Sequence, residues 1–244
     1  MSTLETRKVE PLSGTSVTLG AAGDAVTMPA GVTVKTNTVK DAGGNTLWTS
    51  DGSGTLSNVN SGLTGGMIFI SSATASGSAS VEFTSGIDST YDEYVFYLVD
   101  INPDSNDKNF TFQVNATDGA DYNDSAITST VFESEHYEDN SVARVRYEPN
   151  DDQAQGTAFQ ILAEGIGNGA DESLAGVFHL FNPSNTTYVK HFYATTNAYR
   201  HPDSSRQTFA AGYINDTTAI DDIRFKMSSG NFDGTIKLYG ISKS

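Results

Sequence analysis

The chain has 244 residues, 37% of them hydrophobic, with 23 glycines and only 6 prolines, so it can bury a core and is turn-rich rather than linker-like. Its 30 acids against 14 bases give a net charge of -16, which excludes grip on a phosphate backbone, since that needs clustered Lys and Arg. The absence of cysteine excludes a disulfide frame, a thiolate metal centre and a cysteine nucleophile.

Met1 to Glu10 is polar and charged, without the apolar centre of a signal peptide, and no later run approaches the length of a membrane span. The expectation is synthesis in the cytoplasm, with neither nucleic acid nor membrane insertion among the partners. Between Gly14 and Val34 come short apolar pulses, Val17-Thr18-Leu19, Val26-Thr27-Met28 and Val32-Thr33-Val34, the first two repeating at a spacing of nine. Each is too short to bury itself in one chain, which points to a stalk that is stable against copies of itself, with Val17, Leu19, Val26 and Met28 as contacts. From Lys40 to Gly66 the composition is that of a hinge, rich in Gly, Ser, Asp and Asn. The lone Trp48 inside it is expected as a packing anchor at a subunit contact.

After Gly66 the texture becomes recurrent short strands: 67–71, 80–84, 93–101, 110–115, 127–133, 142–147, 158–163, 174–181, 188–195, 208–214, 221–227 and 234–241. Their β-branched and aromatic content and spacing predict a β-sandwich. In 223–227 and 236–239 the period of two is plain, one face apolar and one polar. Residues 93–101 are nearly continuously apolar and predict a central strand buried on both faces. No helix longer than a turn or two is expected. Residues 1–62 carry 5 acids and 4 bases, so 25 acids and 10 bases fall in the remainder, and the acidity belongs to this second part. An acidic surface of this kind favours solubility at high local concentration.

Three stretches resemble the C-terminal regions of phage virion proteins, above all fibre-like proteins of marine and cyanobacterial phages. They are FTSGIDSTYDEYVFYL at 83–98 with the following Ile101-Asn102-Pro103 loop, the hairpin-like FQVNATDGADY at 112–122, and the ending SGNFDGTIKLYGI at 229–241. The opening segments VEPLSGTSVTLG at 9–20 and DAVTMPAG at 24–31 are similar to the anchoring arms of phage appendages. The resemblance implies a virion structural role, commonly trimeric, with the arm held by other virion proteins of capsid or tail and the head directed outward. No catalytic residues travel with it.

Several motifs could carry chemistry. Gly165-Ile166-Gly167-Asn168-Gly169-Ala170 formally fits a dinucleotide-binding glycine pattern, but Asp171-Glu172 would meet the pyrophosphate and a strand follows instead of a helix, so a hairpin loop is expected. The four histidines, His136, His179, His191 and His201, lack the spacing of a metal site, and His179 is expected in the core. Asp104 to Asp107 and Asp118 to Asp124 offer turn oxygens suited to calcium without the spacing of a calcium loop, and read as turn initiators. A glycan-cleaving head would need two carboxylates across a cleft, and Glu133 with Glu135 could share a strand face. Polar-aromatic material in predicted loops is the best candidate for recognition: Tyr122 with Asn123, His136 with Tyr137, and Tyr199 with His201. Aromatic faces dock sugars while Asp and Asn bind their hydroxyls.

The expectation from sequence is therefore an all-β protein, with an extended N-terminal arm and β-rich stalk followed by an antiparallel, jelly-roll-like β-sandwich. Residues 1–13 form the attachment arm, with Leu4, Val9, Pro11 and Leu12 as its contacts; 14–65 form stalk and hinge; 66–244 form the head. The function expected is that of a non-enzymatic virion surface appendage, homotrimeric, without cofactor or metal, attaching to host-surface glycan. Decoration or cementing of the capsid is the alternative, and glycan depolymerisation a third.

Overall fold

The computed structural model describes residues 36–53, 56, 57, 59, 66–116, 122 and 125–242. The chain divides into two compact units after Val59. The first holds a small antiparallel sheet of β1 (Thr38–Lys40), β2 (Thr46–Ser50) and β3 (Leu56–Ser57). Here strands occupy a stretch whose composition reads as a hinge. The β1–β2 turn is closed by Asp41, whose carboxylate accepts the Asn45 backbone N–H at 2.8 Å, with Gly44 at φ 85° supplying the left-handed residue. Trp48 lies on β2 opposite Val39. The arm contacts Leu4, Val9, Pro11 and Leu12 and the stalk contacts Val17, Leu19, Val26 and Met28 lie outside the described residues.

The second unit contains β4 (Met67–Ser78), β5 (Val81–Phe83), β6 (Glu93–Pro103), β7 (Lys108–Ala116), β8 (Ile127–Tyr137), β9 (Ala143–Tyr147), β10 (Ala154–Gly156), β11 (Gln160–Ile166), β12 (Leu174–Phe181), β13 (Lys190–Arg200), β14 (Ser204–Ile214), β15 (Ile220–Met227) and β16 (Phe232–Ile241). All pairings are antiparallel, and no helix occurs among the described residues. One layer runs β4-β16-β6-β12 and the other β5-β15-β7-β11. The chain alternates between them in the order of a jelly roll. Two insertions widen the first layer: β13 and β14 continue it beyond β12, and β8, flanked by β9 and β10, continues it beyond β14. A single bridge, Ile166 opposite Arg200, joins the layers along β11 and β13.

The core lies between the layers. Phe112 on β7 meets Phe178 and Phe192 of the first layer at ring distances of 4.5 and 4.9 Å, and Phe225 on β15 meets Phe96 on β6 at 5.4 Å. Edge-on and tilted contacts of this kind satisfy the ring quadrupoles while burying large apolar area. Strand β6 is interior, between β16 and β12, as its apolar run predicts. Its outward side is covered only in part, however: Val95 is buried while Tyr97 is 38% exposed. The glycine-rich stretch 165–169 is not a hairpin, because β11 and β12 belong to opposite layers and the loop crosses between them. Likewise β7 pairs with β15 and β11 rather than with β8, so the strand at 112–116 is not the first arm of a hairpin with β8.

Candidate functional site

At one end of the widened layer, register brings three strands into a common row. His136 on β8 lies opposite Ser205 on β14, which lies opposite Tyr199 on β13. Side chains two apart share a face, so Asn197 points the same way as Tyr199. These residues, with Tyr137, Glu138 and Ala198, line a cavity of about 270 Å³. A second cavity, of about 500 Å³, shares Tyr137 and Glu138 with it and adds Asp139, Ser141, Pro202 and Asp203.

The β8–β9 turn shapes the rim. Asn140 takes a left-handed φ of 61°, its N–H donates to the Tyr137 carbonyl at 3.0 Å, and its side chain pairs with His136 Nε2 at 3.1 Å. Asp139 accepts the Ser141 N–H at 2.8 Å, and the hydrogen bonds to Ser141 hold its carboxyl below the usual range. Glu138 holds the Tyr199 hydroxyl; that hydrogen bond, with burial and the neighbouring acids, pushes the phenol up to about 12. Asn197 Nδ2 donates to Ser205 Oγ at 3.0 Å and to the Arg206 carbonyl at 3.2 Å.

The inward side of the same strands carries a buried ion cluster. Arg206, 1% exposed, meets Glu135 at 3.0 Å and Glu133 at 3.2 Å and also pairs with Glu164 on β11. Arg144 reaches Glu135 at 2.6 Å, Arg146 reaches Glu133 at 2.6 Å and Glu148 at 2.9 Å, and Arg200 lies 3.6 Å from Glu135. Burial alone would raise the Glu135 carboxyl, but Arg144, Arg206 and Arg200 hold it below its ordinary value. Glu133 and Glu135 thus share a strand face and are clamped by arginines. A general acid for glycoside cleavage needs a raised value, the opposite of the shift at Glu135. The cluster ties β8, β9, β13, β14 and β11 together beneath the rim and so fixes the outward row.

Of the residues singled out in the sequence, His136, Tyr137 and Tyr199 line one cavity. The other candidates lie elsewhere. His201 leaves the row: its Nδ1 pairs with Asn106 at 3.0 Å. Tyr122 is buried, its ring 4.0 Å beneath the Arg224 guanidinium, and burial followed by Glu82 and Asp222 pushes its hydroxyl up to about 12. It caps the core and offers no open ring face there. Asn123 lies outside the described residues. His179 is not a core residue either; it sits on the outward face, 2.6 Å from Glu93 and stacked on Tyr193 at 4.3 Å. Glu138, Asn197 and Ser205 were not singled out in the sequence: Glu138 stands in the acidic run Glu138-Asp139, its one local signal, whereas Asn197 and Ser205 join the site through strand register alone.

No protein-family model matches this chain, and no curated protein does.

The site's chemistry therefore rests on its own groups. No Lys or Arg side chain lines either cavity, and Glu138, Asp139 and Asp203 do. That set repels anions and accepts hydrogen bonds from hydroxyls, while the Tyr137 and Tyr199 rings offer faces for C–H groups. Among the described residues no group of three or more His, Asp or Glu is arranged to hold a metal ion, and no helix is long and apolar enough to cross a membrane.

Proposed function

We propose that the protein is a structural appendage of a phage virion whose jelly-roll head attaches to host-surface glycan. The observation that carries this reading is the convergence of His136, Tyr137, Glu138, Asn197, Tyr199 and Ser205 around a cavity without cationic lining. Supporting it are the sequence resemblance to phage fibre proteins and the acidic, cysteine-free composition. In this reading the chain is a non-enzymatic homo-oligomer, a trimer by that resemblance, with its N-terminal arm held by other virion proteins.

The test is calorimetric binding of full-length protein to purified surface polysaccharide of a candidate host, with a neutral and an anionic polymer compared. Tyr137→Ala and Tyr199→Ala should each weaken binding at least about tenfold, equivalent to ~1.4 kcal/mol, without lowering the melting temperature appreciably. Binding that survives both substitutions rejects this site. Absence of glycan binding combined with tight, salt-resistant binding to empty capsids supports the decorating role instead.

A further inference from the structure

We propose that the outward face of the widened layer is where copies of this chain meet, through the head. This rests on the homo-oligomeric part of the proposed function and places the contact at a different position from the stalk.

Eight strands present that face, in the order β4-β16-β6-β12-β13-β14-β8-β9. Most of the exposed large apolar side chains of the head stand on it: Phe69 is 55% exposed, Tyr193 41%, Phe132 46% and Tyr147 52%. They group into aromatic clusters. Tyr239 joins Phe69 at 5.4 Å to Tyr97 at 5.5 Å; Tyr193 stacks on His179 at 4.3 Å; Phe132 stacks on Phe209 at 4.7 Å. Two adjoining hollows of about 530 and 430 Å³ share Phe181 and His191 at one end of the face.

Charge and area identify the occupant. The outward positions of β12, β13, β14, β8 and β9 hold no Asp, Glu, Lys or Arg; the formal charges of the face stand on β6 and β16, where Glu93, paired with His179, and Lys237 are joined towards one end by the exposed Asp100 and Asp233. The outer side of the other layer, by contrast, carries Glu82, Asp222, Arg224 and Lys226. Copies bearing a net charge of -16 repel one another wherever their acids face, so they can approach at low cost only across a surface almost free of charge. A second copy of this chain is such a partner. Eight strands at ~4.8 Å spacing and about six residues of ~3.3 Å each span roughly 750 Å². That is close to the ~800 Å² per partner of a standard stable interface. Exposed aromatic clusters on one sheet face mark interaction surfaces.

The experiment is sedimentation equilibrium of the full-length protein over a concentration series, for the wild type and for Phe69→Glu, Phe132→Glu and Tyr193→Glu. These positions are exposed, so the fold should survive, which circular dichroism checks. The expected result is a wild-type mass that is a multiple of 26.0 kDa and a shift of each variant towards monomer by at least tenfold in association constant. Lys226→Glu on the opposite layer should leave the mass of the assembly unchanged. A wild-type oligomer that all three variants retain overturns the head contact while leaving oligomerisation intact. A wild-type monomer at every concentration overturns both. Glycan binding, read separately at Tyr137 and Tyr199, is decided by neither outcome.

Discussion

Asp151 lies in the loop between β9 and β10, 5% exposed, and its Oδ2 has no hydrogen-bond partner. Burial is the main reason its carboxyl is pushed up to about 7, with Glu164, Glu148 and Glu133 adding to the rise and Arg206 opposing it. The unfolded chain returns this group to the ordinary aspartate range near 4. Below that pH it is protonated in both states and costs nothing; above about 7 it is ionised in both, and the folded state bears the full penalty. Stability due to this residue should therefore decline as pH rises from about 4 to about 7. Glu135 has the opposite sign, since its lowered value makes a stabilising contribution that is lost only in more acidic solution. The two windows are separate. Asp151→Asn should match the wild type in melting temperature near pH 4 and exceed it increasingly towards pH 8, by an upper bound of about 4 kcal/mol. Thermal melts across that range are the measurement, and a gap that does not widen with pH rejects the buried-carboxylate account.

At the scale of elements, the strands after Gly66 were legible because period-two alternation and β-branched content are local signals. Leu174–Phe181 coincides with β12, and the other predicted segments each fall on a strand, with ends that shift by up to five residues except at β4, which runs seven residues past the expected end. The long hairpin arms of β13 and β14 run further than their sequences suggest, because Arg200 and Arg206 extend them through ion pairs that no local pattern encodes. Strand β10 escaped notice for the same kind of reason: Ala154 to Gly156 carries no apolar alternation and is a strand only by pairing with β8. Layer membership was also beyond the sequence, so the 165–169 loop read as a hairpin. Close strand approach is the part that register adds. At Gly212 a Cβ would stand 2.4 Å from the Thr128 carbonyl oxygen and 2.8 Å from Ser129 Cα, both backbone atoms of β8 that cannot step aside. Gly212→Ala should therefore cost about 1–3 kcal/mol. In a chain of this size that lowers the melting temperature by roughly 2–12 °C. Ala211→Ser, exposed on the adjacent outward position, should change it little. Equal melting temperatures for the two variants would mean that β8 and β14 separate readily at this point.

At the scale of the whole molecule, the two units report on themselves through different chromophores. The sequence contains one tryptophan, Trp48, and it lies on β2 of the small sheet, while tyrosines and phenylalanines fill the head. The described strands of that sheet are 3, 5 and 2 residues long, and none of their side chains is fully buried. Trp48 is half-buried within the described residues, and sheets of this size gain stability from what they pack against. If copies assemble through the stalk with Trp48 as an anchor, dilution should expose the ring. Its emission should then shift to longer wavelength as the assembly dissociates, following the same concentration dependence as the sedimentation mass. In the Phe132→Glu head variant the two contacts become separable: a stalk contact persists as a blue-shifted Trp48 even when the heads no longer associate. An emission maximum that is identical at all concentrations, in a wild type whose mass does change, removes Trp48 from the interface and leaves the aromatic face of the head as the surface on which copies meet.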